Sequence, residues 1–133
     1  MNPAVIAVLE DCTAGSDAGR LTFPQVLAAL AAAGIERYHA DLCRAEKTYY
    51  RPDGRSHAVS AAPVAVAPAT VFAADGVEAA IRAVQAGAVT YKEFCERIAA
   101  AGCVGYLVSL TGRRAVYFGR GGDSHVEPFP SAP

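Results

Sequence analysis

Shifted by 68 positions, this chain lies on itself. Residues 21–57 align without a gap on residues 89–125. The identical pairs are Thr22/Thr90, Ala31/Ala99, Ala32/Ala100, Ala33/Ala101, Gly34/Gly102, Tyr38/Tyr106, Leu42/Leu110, Tyr49/Tyr117, Gly54/Gly122, Ser56/Ser124 and His57/His125. Phe23/Tyr91, Val26/Phe94, Leu30/Ile98 and Tyr50/Phe118 are similar. An internal repeat of this length constrains the fold more than any single motif, because both copies must adopt one local structure.

Each copy reads the same way. Thr22 with Gln25, and Thr90 with Glu93, are capping boxes. Pro24 sits in a first turn, where a missing N–H costs nothing. Apolar residues recur at helical spacing through Phe23, Val26, Leu27 and Leu30, and again through Tyr91, Phe94, Cys95 and Ile98. Gly34 and Gly102 then suit a left-handed helix stop. Alternation follows at Tyr38, Ala40 and Leu42, and at Tyr106, Val108 and Leu110. The first copy turns near Arg44–Glu46 and returns through Thr48–Arg51. The second turns at Thr111-Gly112 and returns through Ala115–Phe118. Pro52-Asp53-Gly54 is a strong turn signal, and a third short strand is expected at Ser56–Val59 and Ser124–Glu127. A helix precedes each copy, marked by Val5, Leu9 and Cys12 and by Val77, Ile81 and Val84, with Ala14–Arg20 as a loop longer than its counterpart.

The expected fold is α+β: internally duplicated α-α-β-β units forming one domain over 1–133, helices packed on an antiparallel sheet about a pseudo-two-fold. The half-repeats are about 1–59 and 75–127, joined by Pro/Ala-rich 60–74, with 128–133 as a tail. Each half is marginal for burying a core alone, so the halves should share one.

Composition narrows the class. Hydrophobic residues are 53% of 133, which excludes wholesale disorder. Twenty-nine alanines inflate that figure, so the core must come from Leu, Ile, Val, Phe and Tyr. Lys+Arg 12 against Asp+Glu 13 lacks the basic excess of a nucleic-acid binder. Ten Arg against two Lys, with the alanine load, suggests GC-rich bacterial coding. No Lys or Arg precedes Arg20 and Glu10-Asp11 interrupt the apolar run, so no secretory signal is read. The longest uncharged stretch, 56–74, is broken by Pro63 and Pro68 and cannot span a bilayer. The chain is expected to be soluble and cytoplasmic, with Cys12, Cys43, Cys95 and Cys103 as reduced, structural thiols.

The run Leu21-Thr22-Phe23-Pro24, Tyr49-Tyr50 with Asp53-Gly54, Tyr91-Lys92 with Phe94-Cys95, Ala101-Gly102-Cys103 with Gly105-Tyr106, and Tyr117-Phe118-Gly119-Arg120 with His125-Val126 resemble the YbcV-like family. These are small bacterial proteins of unknown function, some labelled "phage envelope protein". The resemblance spans nearly the whole chain and implies a small soluble protein. It carries over no cofactor or catalytic residue, and Ala58–Ala69 departs from it.

Candidate site residues follow from chemistry. His57 and His125 are repeat-related; if the halves face one cleft, the two imidazoles could serve acid–base work or a metal. The bland reading packs each against Tyr49 or Tyr117 or caps a turn. Ser56, Ser124, Asp53 and Asp123 supply the other members of a triad, but neighbours on a strand point to opposite faces. Gly119-Arg120-Gly121-Gly122, with Arg113 and Arg114 nearby, could hold an anion, although a hairpin turn uses the same residues. Tyr38, Tyr49, Tyr106 and Tyr117 could line a groove or fill a core, and His39 falls on the opposite face. Tyr49, Tyr117, Arg120 and Asp53 are the binding candidates. No metal set or cofactor is implied. The favoured reading is a non-catalytic binding or regulatory module, as a homodimer or with an unknown protein or small ligand, using a sheet face or edge. The alternative is a small-substrate enzyme or metal site on His57 and His125.

Overall fold

The structure, a computed structural model, describes residues 1–130. The elements run α1 (Pro3–Asp17), α2 (Phe23–Ala32), β1 (Arg37–Asp41), β2 (Glu46–Tyr50), β3 (Ser56–Ser60), α3 (Ala74–Gln85), α4 (Tyr91–Ala100), β4 (Cys103–Ser109), β5 (Arg114–Gly119) and β6 (Ser124–Pro128). The order α-α-β-β-β thus occurs twice. Both capping boxes form: Thr22 accepts from Gln25 N and Thr90 from Glu93 N, while each N3 side chain accepts from the cap's own N–H at 2.9 Å.

Residues 14–17 were expected in a loop, but α1 continues through them. Tertiary packing overrides the weak helix propensity of Gly15 and Ser16. Both are buried, and a Cβ on Gly15 would come within 2.5 Å of the Leu21 side chain. The connections after α1 and after α3 are therefore equal in length, residues 18–22 and 86–90. Left-handed residues recur at the repeat spacing: Gly19/Gly87, Gly34/Gly102, Ala45/Arg113 and Gly54/Gly122 all have positive φ.

All six strands form one antiparallel sheet in the order β3-β2-β1-β4-β5-β6. Each half folds outward as a meander, and the halves join where β1 pairs with β4. That register centres on His39↔Leu107, with Arg37↔Ser109 and Asp41↔Gly105 equidistant on either side.

The helices cover one face of this sheet. Tyr38, Ala40, Lys47, Tyr49, Tyr106, Val108, Ala115 and Tyr117 all point to it and are buried. Leu9 and Cys12 from α1, Val26 and Leu30 from α2, Val77 and Ile81 from α3, and Phe94, Cys95 and Ile98 from α4 meet them in one cluster drawn from both halves. Cys12 and Cys95 pack as small hydrophobes, as does Cys103, while Cys43 is exposed and all four are free thiols.

The connection 61–73 has no regular structure but is pinned. Ala61 N donates to Ala45 O, Ala62 N to Asp17 Oδ2, Ala69 N to Ala99 O and Ala73 N to Ala101 O. The expected tail begins as structure: Pro128 ends β6, and Phe129 packs edge-on against Phe23 at 5.6 Å. Residues 131–133 of that tail lie outside the described residues. Among the described residues, no helix is long and apolar enough to cross a membrane.

Candidate functional site

The two histidines do not converge. His57 lies on β3 and His125 on β6, the opposite edges of the sheet. Four strands separate them, so at about 4.8 Å per strand their backbones stand roughly 24 Å apart. The shared cleft imagined from the repeat is absent because each hairpin folds outward from the central β1–β4 pair. Each imidazole instead sits directly across from a tyrosine: His57 opposite Tyr49, His125 opposite Tyr117. Their surroundings also differ. His57 borders an open groove with Glu10, Ala14 and Asp17 of α1. His125 Nε2 lies 3.4 Å from Glu127, whose carboxylate takes Arg82 of α3 at 2.9 and 3.3 Å. The Arg82 hydrogen bond, the largest cause, holds the Glu127 carboxyl below its usual range. Val59 stands at the repeat position of Glu127, so the first half has no such pair.

The other candidates have structural tasks. Asp53 Oδ1 accepts from Arg55 N in the exposed β2–β3 turn. Arg120 Nη2 donates to Pro68 O at 2.7 Å and straps 61–73 to the β5–β6 turn, while Gly119–Gly122 forms that turn. Ser56 and Ser124 are exposed on the face opposite their neighbouring histidines. Tyr49 and Tyr117 are core residues in a tyrosine row. Ring centroids run Tyr49–Tyr38 5.2 Å, Tyr38–Tyr106 6.4 Å and Tyr106–Tyr117 5.2 Å. Tyr49 is bonded to Thr13 at 2.8 Å and Tyr106 to Tyr91 at 2.6 Å. Burial pushes all of these phenols well up.

Two features remain with chemistry to offer. The first is the sheet face the helices leave bare. Its middle row runs Val126, Val116, Leu107, His39, Thr48, Ala58 across the six strands. Leu107 is 43% and Val126 47% exposed. Phe118 adds to the apolar side, and its ring meets His39 at 5.7 Å across the intervening strand. That contact requires Gly105 on β4: a Cβ there would stand 3.1 Å from Phe118 and 3.2 Å from His39. One end of the face carries Arg37 and Arg114, the other Asp41 and Glu46.

The second is Lys47, which the sequence reading passed over. Alternation from Tyr49 turns Lys47 to the helix side, where it is 4% exposed. Its repeat counterpart is Ala115. Among the described residues Nζ makes no hydrogen bond and has no carboxylate within 4.0 Å; it faces the rings of Tyr91 at 4.5 Å and Tyr38 at 5.9 Å. Desolvation, the dominant cause, pushes its ammonium below the ordinary lysine range. A cavity of about 50 Å³ adjoins it, lined by Asp17, Tyr91, Cys95 and residues 61–64. Burial raises the thiols of Cys12 and Cys95, and that of Cys103 to about 12, so these cysteines are poor nucleophiles. Among the described residues, no three His, Cys, Asp or Glu side chains gather as a metal set.

Residues 58–126 match a family described as proteins of unknown function, DUF1398. The chain belongs to this family. The DUF1398 match begins in β3 and ends in β6, so it takes in Tyr91, Cys95, Leu107 and Phe118 but starts beyond Lys47 and His57. A search of the curated proteins finds no match.

Proposed function

We propose that the chain is a non-catalytic binding module that works through its uncovered sheet face, with a second copy of itself as the occupant. The observation that carries this is the layout of that face. A two-fold axis along the middle row lays Val126, Val116 and Leu107 of one copy on the same row of the other. The same operation brings Arg37 over Asp41 and Glu46 of the second copy. Apolar centre and opposite charges at the two ends make the face self-complementary, as an isologous interface must be. Exposed apolar residues in a contiguous row are the usual mark of such a surface.

The narrower placement among the YbcV-like proteins, with their phage label, rests on the motifs quoted above. We read residues 1–133 as one soluble cytoplasmic bacterial domain that arose by duplication, a reading supported by the 68-residue recurrence of left-handed residues. An enzyme or metal site shared by His57 and His125 has lost its geometric basis.

Sedimentation equilibrium across a concentration series tests the proposal. A dimer is expected, and Leu107→Glu should weaken it by about 2 kcal/mol, some thirtyfold in Kd, with unchanged circular dichroism. Arg37→Glu should weaken it too, and adding Glu46→Arg should restore it. A monomer at every concentration, or a dimer indifferent to Leu107→Glu, overturns it.

A further inference from the structure

We propose that Lys47 is a reactive amine that captures small uncharged aldehydes as an imine in the cavity beneath residues 61–64. This goes beyond the sheet-face reading and does not depend on it, since Lys47 lies on the opposite side of the sheet.

The geometry comes first. Among the described residues, every fully buried side-chain nitrogen or oxygen has a hydrogen-bond partner. Lys47 Nζ has none, so it must touch accessible space, and the adjoining cavity supplies that space. A lysine nine-tenths buried with no carboxylate would ordinarily be paired or absent. Asp17 and Cys12 face it from α1, Tyr91 and Cys95 from α4, and Tyr38 from β1. None accepts a hydrogen bond from it. Tyrosine ring faces stabilise an ammonium only modestly, and burial favours the neutral amine. A neutral amine withdrawn from water is the usual form of a Schiff-base lysine.

Two observations set the ligand class. The lining carries Asp17, Asp41 and Glu46 against Lys47 and Lys92, so it offers an anion no net attraction. The space open to the centre of a water-sized sphere is about 50 Å³, against the roughly 10–15 Å³ that one water needs on that measure, so a two-carbon aldehyde fits. In the reaction, the Nζ lone pair forms the C–N bond while the carbonyl π pair moves to oxygen. One proton passes from nitrogen to that oxygen, giving the carbinolamine. The C–O bond then breaks as the nitrogen lone pair forms C=N, and hydroxide leaves with the second nitrogen proton as water. No oxidant or reductant is involved.

The chain provides its own comparison, because Lys92 is its only other lysine and is exposed. The full-length protein is treated at neutral pH with limiting acetaldehyde, and cyanoborohydride fixes each imine as an ethyl group for peptide mass mapping. Lys47 is expected to be labelled faster than Lys92, because a lowered ammonium leaves more of the neutral amine to attack. The preference should vanish in urea. Ala62→Leu, which narrows the cavity, should slow Lys47 and leave Lys92 and the N-terminus unchanged. Lys47 labelled no faster than Lys92 in the folded chain overturns the proposal. So does labelling of Lys47 that Ala62→Leu leaves unchanged.

Discussion

Lys47 is where side-chain chemistry and packing conflict most. A buried charge without a partner destabilises, and an apolar residue of similar length should relieve that. Lys47→Met is expected to stabilise by about 1–2 kcal/mol and raise Tm by a few degrees, read by thermal denaturation. The pH dependence has two opposing parts. Lys47 binds its proton less tightly folded than unfolded, so the unfolded chain holds more protons between the lowered folded value and 10.5, and stability rises with pH across that window. The buried thiols and phenols are raised in the folded state. Their stabilisation is present below about 9 for the cysteines and 10 for the tyrosines, and is lost as pH climbs above those values. The wild-type Tm should therefore fall from pH 8 to 10, and that of Lys47→Met should fall more steeply once the opposing lysine is gone. Equal slopes would show that Lys47 titrates alike in both states. Asp17, Cys12, Tyr91, Cys95 and Tyr38 all face this amine and shape the difference. The sequence concealed this residue because a lysine on a short strand between Glu46 and Thr48 looks solvated. Only the alternation counted back from Tyr49 could have flagged it.

At the level of helices and turns, local rules were legible. Both capping boxes, the helix stops at Gly34 and Gly102, and the third strand of each meander follow from neighbours a few residues apart. Thr90→Ala should cost about 1 kcal/mol in chemical denaturation, the usual worth of a cap. Turn glycines with similar angles should nonetheless respond differently. At Gly54 (φ +90°) a Cβ meets nothing within 4 Å, so alanine bears only the left-handed penalty, about 1 kcal/mol. At Gly102 (φ +97°) a Cβ would stand 2.5 Å from Val71 O and 2.8 Å from Phe72 Cα, both backbone atoms. Gly102→Ala should cost at least about 3 kcal/mol, adding a clash to that strain. Urea midpoints of the two variants should separate accordingly. Of the loop expected over 14–20, residues 14–17 are helical instead, because Gly15 and Ser16 are buried. Packing of this kind, Gly15 on Leu21 and Gly102 on the sequence-distant 71–72, is invisible to propensity.

For the molecule as a whole, the central β1–β4 pair holds two meanders together. Its register is symmetric about His39↔Leu107, so a half chain keeps an edge able to pair with a copy of itself. A fragment of residues 61–133 is expected to form a dimer or stay unfolded, since half the core is missing. A stable folded monomer, by light scattering and circular dichroism, would contradict this. The α+β class and the paired α-α-β-β order with its extra strands were determined by sequence alone. They rest on hydrophobic period, caps and turn residues, which act over a few residues and were present twice. Tertiary structure decided the separation of His57 from His125, the burial of Lys47 and the bare face of Leu107, Val116 and Val126. Those depend on which strand edges meet and which side the helices cover, and covering is a global outcome. A repeat states that two segments are alike; only the join between them determines whether their equivalent residues end up together or at opposite edges.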